Sequence, residues 1–168
     1  DGVLNLKHKK DRYITHERKL IINKFIFNKL PKNGKYICIT NQAGLSTKQL
    51  TITNLKKINF KLKSNLKKKG IKLEKFYISN HHFNSNSYYR KPNPGLFLKA
   101  AKEYNFILDK TFYVGDDKRD VEAAYNANTF IIYVGKDNFS KVERNKYKFT
   151  ILNKSIKQIY EEKKKYSF

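Results

Sequence analysis

The sequence predicts an α/β fold, a doubly wound parallel sheet covered by helices on both faces, on three observations. Short apolar runs of strand character recur at Tyr36–Thr40, Lys75–Ser79, Thr111–Val114 and Phe130–Val134. Stretches with apolar residues at helical spacing alternate with them. Turn-forming residues punctuate the boundaries, as Pro31, Asn33 and Gly34 do before the first run.

Taken in order, a leading loop from Asp1 through Arg12 runs into a helix expected over Thr15 to Asn28, with Glu17 in its first turn. The strand Tyr36–Thr40 follows, then Asn41-Gln42-Ala43-Gly44. A second helix is expected from Ser46 to Lys69, opened by a Ser or Thr cap and closed by Gly70 in a left-handed conformation. Its lysines read as a solvated face. After the strand Lys75–Ser79 comes a polar segment, Asn80 to Tyr89, and Pro94 opens a third helix that reaches Tyr104. Thr111–Val114 ends at Gly115-Asp116-Asp117, a helix is expected over Asp120 to Asn126, and Phe130–Val134 is the last clear strand. A basic helix is expected over Ser155 to Lys165, with a frayed tail at Tyr166 to Phe168.

A length of 168 residues predicts one domain, 1–168, with room for a sizeable core. The hydrophobic share of 39% with 14% aromatics excludes a disordered polyelectrolyte. No signal peptide is visible, and no apolar run nears the roughly 18 residues of a membrane span. With Cys38 as the one cysteine, neither a disulfide framework nor a cysteine-rich metal site can form within the chain, and a cytoplasmic setting fits. Cys38 reads as a small buried hydrophobe. A net charge of +23 predicts attraction to polyanions. Lys far outnumbers Arg, however, and Asn, Ile, Phe and Tyr abound, which reads as AT-rich codon usage before it reads as a dedicated nucleic-acid surface. The chain contains no Met and opens on Asp1-Gly2, so a preceding segment is expected to be absent from this sequence.

In an open parallel sheet the ligand site lies beyond the carboxyl ends of the strands. The residues there are Asp1, Thr40 with Asn41, Arg90 with Lys91, and Asp116 with Asp117 and Asp120. Each group alone is compatible with an ordinary loop. Their order and wording carry more: Asp-Gly-Val-Leu-Asn, then Ile-Thr-Asn-Gln-Ala-Gly, Arg-Lys-Pro-Asn-Pro-Gly and Tyr-Val-Gly-Asp-Asp-Lys-Arg-Asp. This series resembles the four motifs of the haloacid-dehalogenase (HAD) superfamily from about Asp1 to Val134. The wording is most similar to the D-glycero-D-manno-heptose 1,7-bisphosphate phosphatases and next to the histidinol-phosphate phosphatases.

The resemblance implies a Rossmann-like doubly wound sheet without a cap domain, its first strand missing from this sequence. It implies a Mg²⁺-dependent phosphatase that acts through an aspartyl-phosphate. In the family's first motif, Asp-x-Asp-Gly, Asp1 matches the second Asp, the acid/base, so the nucleophile is expected two positions upstream. Asp116 and the backbone carbonyl of Asp1 are implied as metal ligands. Thr40, Asn41 and Lys91 are implied at the phosphoryl group, Arg90 at the substrate, and Asp117 and Asp120 as supports of the metal loop. Such chemistry needs a carboxylate nucleophile, a second carboxyl group to move protons, and cations to neutralise phosphoryl oxygens. Many relatives hold a structural zinc ahead of Arg-Lys-Pro, but Ser79, His81, Ser87 and Tyr89 stand at those positions, so no zinc is expected. His81 and His82 then read as surface or substrate-loop residues, while His8 and His16 show no partner pattern.

The implied partner is a small phosphorylated sugar, and the implied state a monomer. Two other readings stay open. A polynucleotide 3′-phosphatase shares Thr-Asn-Gln-x-Gly, Lys-Pro and Val-Gly-Asp and suits the charge, although Arg90 and Asp120 favour the sugar enzymes. A noncatalytic remnant or binding domain would suit a chain without a nucleophile.

Overall fold

In a computed structural model, residues 1–7, 13–136 and 138–152 are described, together with Ile156, Gln158, Ile159 and Glu161. The first strand, β1 (Lys35–Asn41), pairs in parallel with β2 (Lys72–Ser79) along its whole length. A second ladder joins β3 (Phe112–Gly115), β4 (Phe130–Tyr133) and the short β5 (Thr150–Ile151), again all parallel. Parallel strands need helical crossovers, and α2 (Ile52–Lys68), α3 (Gly95–Tyr104) and α4 (Lys118–Asn126) supply them.

Side chains alternate across each strand and so build two layers. Tyr36, Cys38, Leu73, Phe112, Val114 and Ile132 join the core formed with Ile26, Phe27, Leu66, Ile156 and Ile159. Ile37, Ile39, Tyr77 and Tyr113 point the other way, onto Phe97 and Ala100 of α3 and Ala123 of α4. Helix α2 forms because Leu55, Ile58, Leu62 and Leu66 fall on one stripe while Lys56, Lys57, Lys63 and Lys67 stay exposed. Thr51 caps it, its Oγ accepting from the Asn54 amide at 3.2 Å, and Gly70 follows with φ of 73°. The connections at 42–51 and 80–94 contain neither helix nor strand, so no cap domain is inserted there.

The expected helix over Thr15–Asn28 is instead a 3-10 turn at Glu17–Lys19 and a short helix, α1 (Lys24–Lys29). The segment between is drawn into an extended pairing with the N-terminus: Ile22 bridges Asn5, and the Asn23 amide donates to the Leu4 carbonyl at 3.0 Å. The second helix begins at Ile52 rather than Ser46, because residues 43–50 close a series of turns. A helix not expected, α5 (Lys141–Tyr147), is opened by a reciprocal cap between Ser140 and Glu143. Most of the basic helix expected over Ser155–Lys165 lies outside the described residues, but Ile156 and Ile159 are buried in the core.

Among the described residues β1 and β3 share no ladder. Between them lies a cavity of about 870 Å³, lined by Tyr36, Cys38 and Ile39 of β1, Phe112 and Val114 of β3, and apolar residues from both layers such as Leu62, Leu66, Phe97 and Ala100. One edge of each half-sheet therefore faces an apolar slot instead of a neighbouring strand. Burial pushes the Cys38 thiol up, away from the reactive thiolate.

Candidate active site

The parallel strands place the ends of β1, β2 and β3 on one rim, and the sequence-identified residues gather there. Asp1, Thr40, Lys91, Asp116 and Asp120 all line the same cavity. They arrive from the N-terminus, from β1, from the loop after β2 and from the β3–α4 turn, so the parallel topology is what brings them together.

Lys91 is the centre of the arrangement. Its ammonium donates to Asp120 Oδ1 at 2.7 Å, to the Tyr113 hydroxyl at 2.8 Å and to the Ile39 carbonyl at 3.1 Å. The Lys91 and Asp120 side chains are 11% and 7% exposed. Burial alone would lower the Lys91 pKa, but the Asp120 carboxylate and the Tyr113 hydroxyl outweigh it and the net shift is upward. For Asp120, burial pulls up, and the Lys91 charge and hydrogen bonds pull further down. Both groups are therefore charged across the physiological range. Burial pushes the Tyr113 hydroxyl up and keeps it neutral.

Asn41 holds the lysine from the backbone side. Its side-chain amide donates to the Lys91 carbonyl at 3.0 Å and its oxygen accepts from the Lys91 amide at 3.1 Å. Thr40 Oγ accepts from Gln42 Nε2 at 3.0 Å, leaving its own O–H to be given elsewhere. Arg90 is buried and donates to the His81 carbonyl at 3.1 Å, tying down the 80–89 loop. Neither Asn41 nor Arg90 is among the cavity-lining residues.

The β3–α4 turn and the first turn of α4 use their three aspartates differently. Asp117 caps α4 and is gripped by Arg119 through two nitrogens at 2.8 and 3.0 Å, which pulls its carboxyl down to about 2. Asp120 Oδ2 accepts from the Asp116 and Asp117 amides at 3.0 and 3.2 Å, closing a capping box while its other oxygen holds Lys91. Asp116 lines the cavity as well, and its carboxylate pairs with Lys7.

Asp1 and Asp116 meet through Gly2. The buried Asn5 donates to Asp1 Oδ1 at 2.9 Å, fixing that carboxyl group. Gly2 has φ of 90°, and a Cβ built on it would overlap the Asp116 carboxylate. A Gly2→Ala variant is expected to lose at least about 1–3 kcal/mol of stability. It should also displace Asp116, raising the metal concentration needed for activity; unfolding curves and metal titration check both effects.

The residues fit a divalent cation. Asp116 is nearly shielded from solvent, at 10% exposure, and already carries a cationic stand-in, the Lys7 ammonium, 2.5 Å from Oδ2. A hard cation that keeps several waters needs few protein oxygens, and Asp116 with the Asp1 carbonyl could supply them. Sequence reasoning missed Lys7, Gln42 and Tyr113. Gln42 stands inside the quoted Ile-Thr-Asn-Gln motif, but nothing local marks Tyr113 as more than a strand residue.

Residues 88–158 match the family model described as HAD-hydrolase-like. The D-glycero-beta-D-manno-heptose-1,7-bisphosphate 7-phosphatase of Helicobacter pylori (strain J99 / ATCC 700824) is 32% identical over 133 residues, 76% of this chain and 74% of the relative. A histidine biosynthesis bifunctional protein of Buchnera aphidicola is 26% identical over 162 residues, 90% of this chain but 46% of that protein. Among solved structures, a D,D-heptose 1,7-bisphosphate phosphatase from B. bronchiseptica, complexed with magnesium and phosphate, superposes with a TM-score of 0.79 at 20% identity. That similarity covers 99% of this chain and 96% of the other, and establishes likeness of fold.

Proposed function

The chain belongs to the family of the D-glycero-beta-D-manno-heptose-1,7-bisphosphate 7-phosphatases within the HAD-like hydrolases, and from that premise we propose that it removes one phosphate from a D-glycero-D-manno-heptose 1,7-bisphosphate in a Mg²⁺-dependent reaction. The observation that carries the reading is the convergence of Asp1, Thr40, Lys91 and Asp116 on one cavity at the carboxyl ends of parallel strands.

The nucleophile in this proposal is a carboxylate two positions ahead of Asp1, on a strand that fills the slot between β1 and β3. The unpaired edges and apolar walls of that slot support it. The carboxylate oxygen bonds to phosphorus as the ester P–O bond breaks, and Asp1 gives its proton to the departing alcohol. Asp1 then takes a proton from water, whose oxygen attacks phosphorus and frees the carboxylate. Asn5 holds Asp1 for both transfers. Lys91, fixed from two sides by Asn41 and Asp120, and the Thr40 hydroxyl neutralise the phosphoryl oxygens. Asp116 and the Asp1 carbonyl would hold Mg²⁺, which when bound would supply positive charge beside the phosphoryl group. Arg90 acts on the sugar end through the 80–89 loop that it anchors. The setting proposed is the cytoplasm; among the described residues no helix is long and apolar enough to cross a membrane.

Phosphate release tests the reading, measured on the protein with its preceding segment, with Mg²⁺ present or chelated. The heptose bisphosphate should be turned over fastest, and chelation should stop it. Faster release from histidinol phosphate or from a 3′-phosphorylated oligonucleotide would transfer the assignment to that substrate.

A further inference from the structure

Asp116 does not stand bare in this structure. Lys7 reaches it from the solvent side, with a side chain 59% exposed, and places its ammonium 2.5 Å from Oδ2. Gly2 also packs directly against the carboxylate. The neighbouring cations are committed elsewhere: Lys91 to Asp120, Tyr113 and Ile39, and Arg119 to Asp117. Lys7 thus holds one of the two oxygens of the Asp116 carboxylate, on an exposed and flexible stem.

We propose that Lys7 is an exchangeable counter-cation of the metal site, which occupies Asp116 until a divalent cation displaces it and so sets the affinity of the site. The inference rests on Asp116 being the metal-holding carboxylate. An ammonium and a divalent metal on the same carboxylate repel each other across a few ångströms, so binding the metal weakens the ion pair and favours release of Lys7. An exposed partner makes that cost modest, and metal binding is weakened without being prevented. The carboxylate meanwhile stays neutralised in the metal-free protein, although it is nearly buried.

The test is calorimetric titration of the whole protein with Mg²⁺ alone, without substrate, for the parent, Lys7→Met, Lys7→Arg and Asp116→Asn. Lys7→Met should bind Mg²⁺ about three- to fivefold more tightly than the parent. Lys7→Arg, which keeps the charge, should stay near the parent. Equal Mg²⁺ affinity in Lys7→Met and the parent, with binding abolished in Asp116→Asn, would overturn the exchange and leave the metal assignment standing. Unaltered binding in Asp116→Asn would overturn both.

Discussion

Replacing Lys91 with Met is expected to lower stability by about 3–5 kcal/mol and turnover by about 10²–10³-fold. The stability loss follows from what remains. Asp120 would keep its backbone amide bonds and lose the cation 2.7 Å away, in a position where its side chain is 7% exposed. The Tyr113 hydroxyl would lose the Lys91 donor as well, and the Ile39 carbonyl would keep only the more distant Tyr113 hydroxyl at 3.4 Å of these two donors. A second substitution separates the two effects. Lys91→Met with Asp120→Asn removes both charges and should recover part of the stability, because a buried ion pair replaced as a pair costs much less than one partner stranded. It should recover no turnover if, as proposed, the Lys91 ammonium is the cation at the phosphoryl group. Denaturant unfolding and phosphate release read these outcomes. A double variant no more stable than the single one would contradict the account of the pair.

The second large effect is expected at Asp116. Asp116→Asn keeps size and shape but removes the carboxylate charge, and should cost about 4 kcal/mol of transition-state stabilisation, roughly a thousandfold in Mg²⁺-dependent turnover. Stability should change little, because the lost partner is the exposed Lys7, an ion pair worth about 0–1 kcal/mol. Such a split, with activity gone and the unfolding midpoint held, distinguishes a metal-holding carboxylate from a structural one. Asp120→Asn should show the opposite balance, with stability falling first.

Much of this arrangement is legible in the sequence because its signals are local. The apolar runs of β1, β3 and β4 and the stripe Leu55, Ile58, Leu62 and Leu66 follow the two periodicities of regular structure. Asp116 and Thr40 sit where strands end, and strand ends can be read, while Lys91 is marked by the Arg-Lys-Pro wording just ahead of α3. The break within Thr15–Asn28 depends on pairing with residues 4–6, a nonlocal event that helical periodicity does not record. Glu143 three residues after Ser140 was a readable capping signal for α5. Within the site, the role of Tyr113 comes from its position opposite Ile39 across the slot, which only the tertiary arrangement determines. Arg90 shows the converse, a motif residue whose guanidinium is spent on a loop carbonyl.

The double hydrogen bond between Asn41 and the Lys91 backbone separates two kinds of change. Because the lysine's main chain is moored to β1, residues 80–89 can lengthen, shorten or change chemistry without shifting the ammonium against its acceptors. Variation can therefore accumulate over evolutionary time in that loop while the Lys91 ammonium keeps its alignment with Asp120.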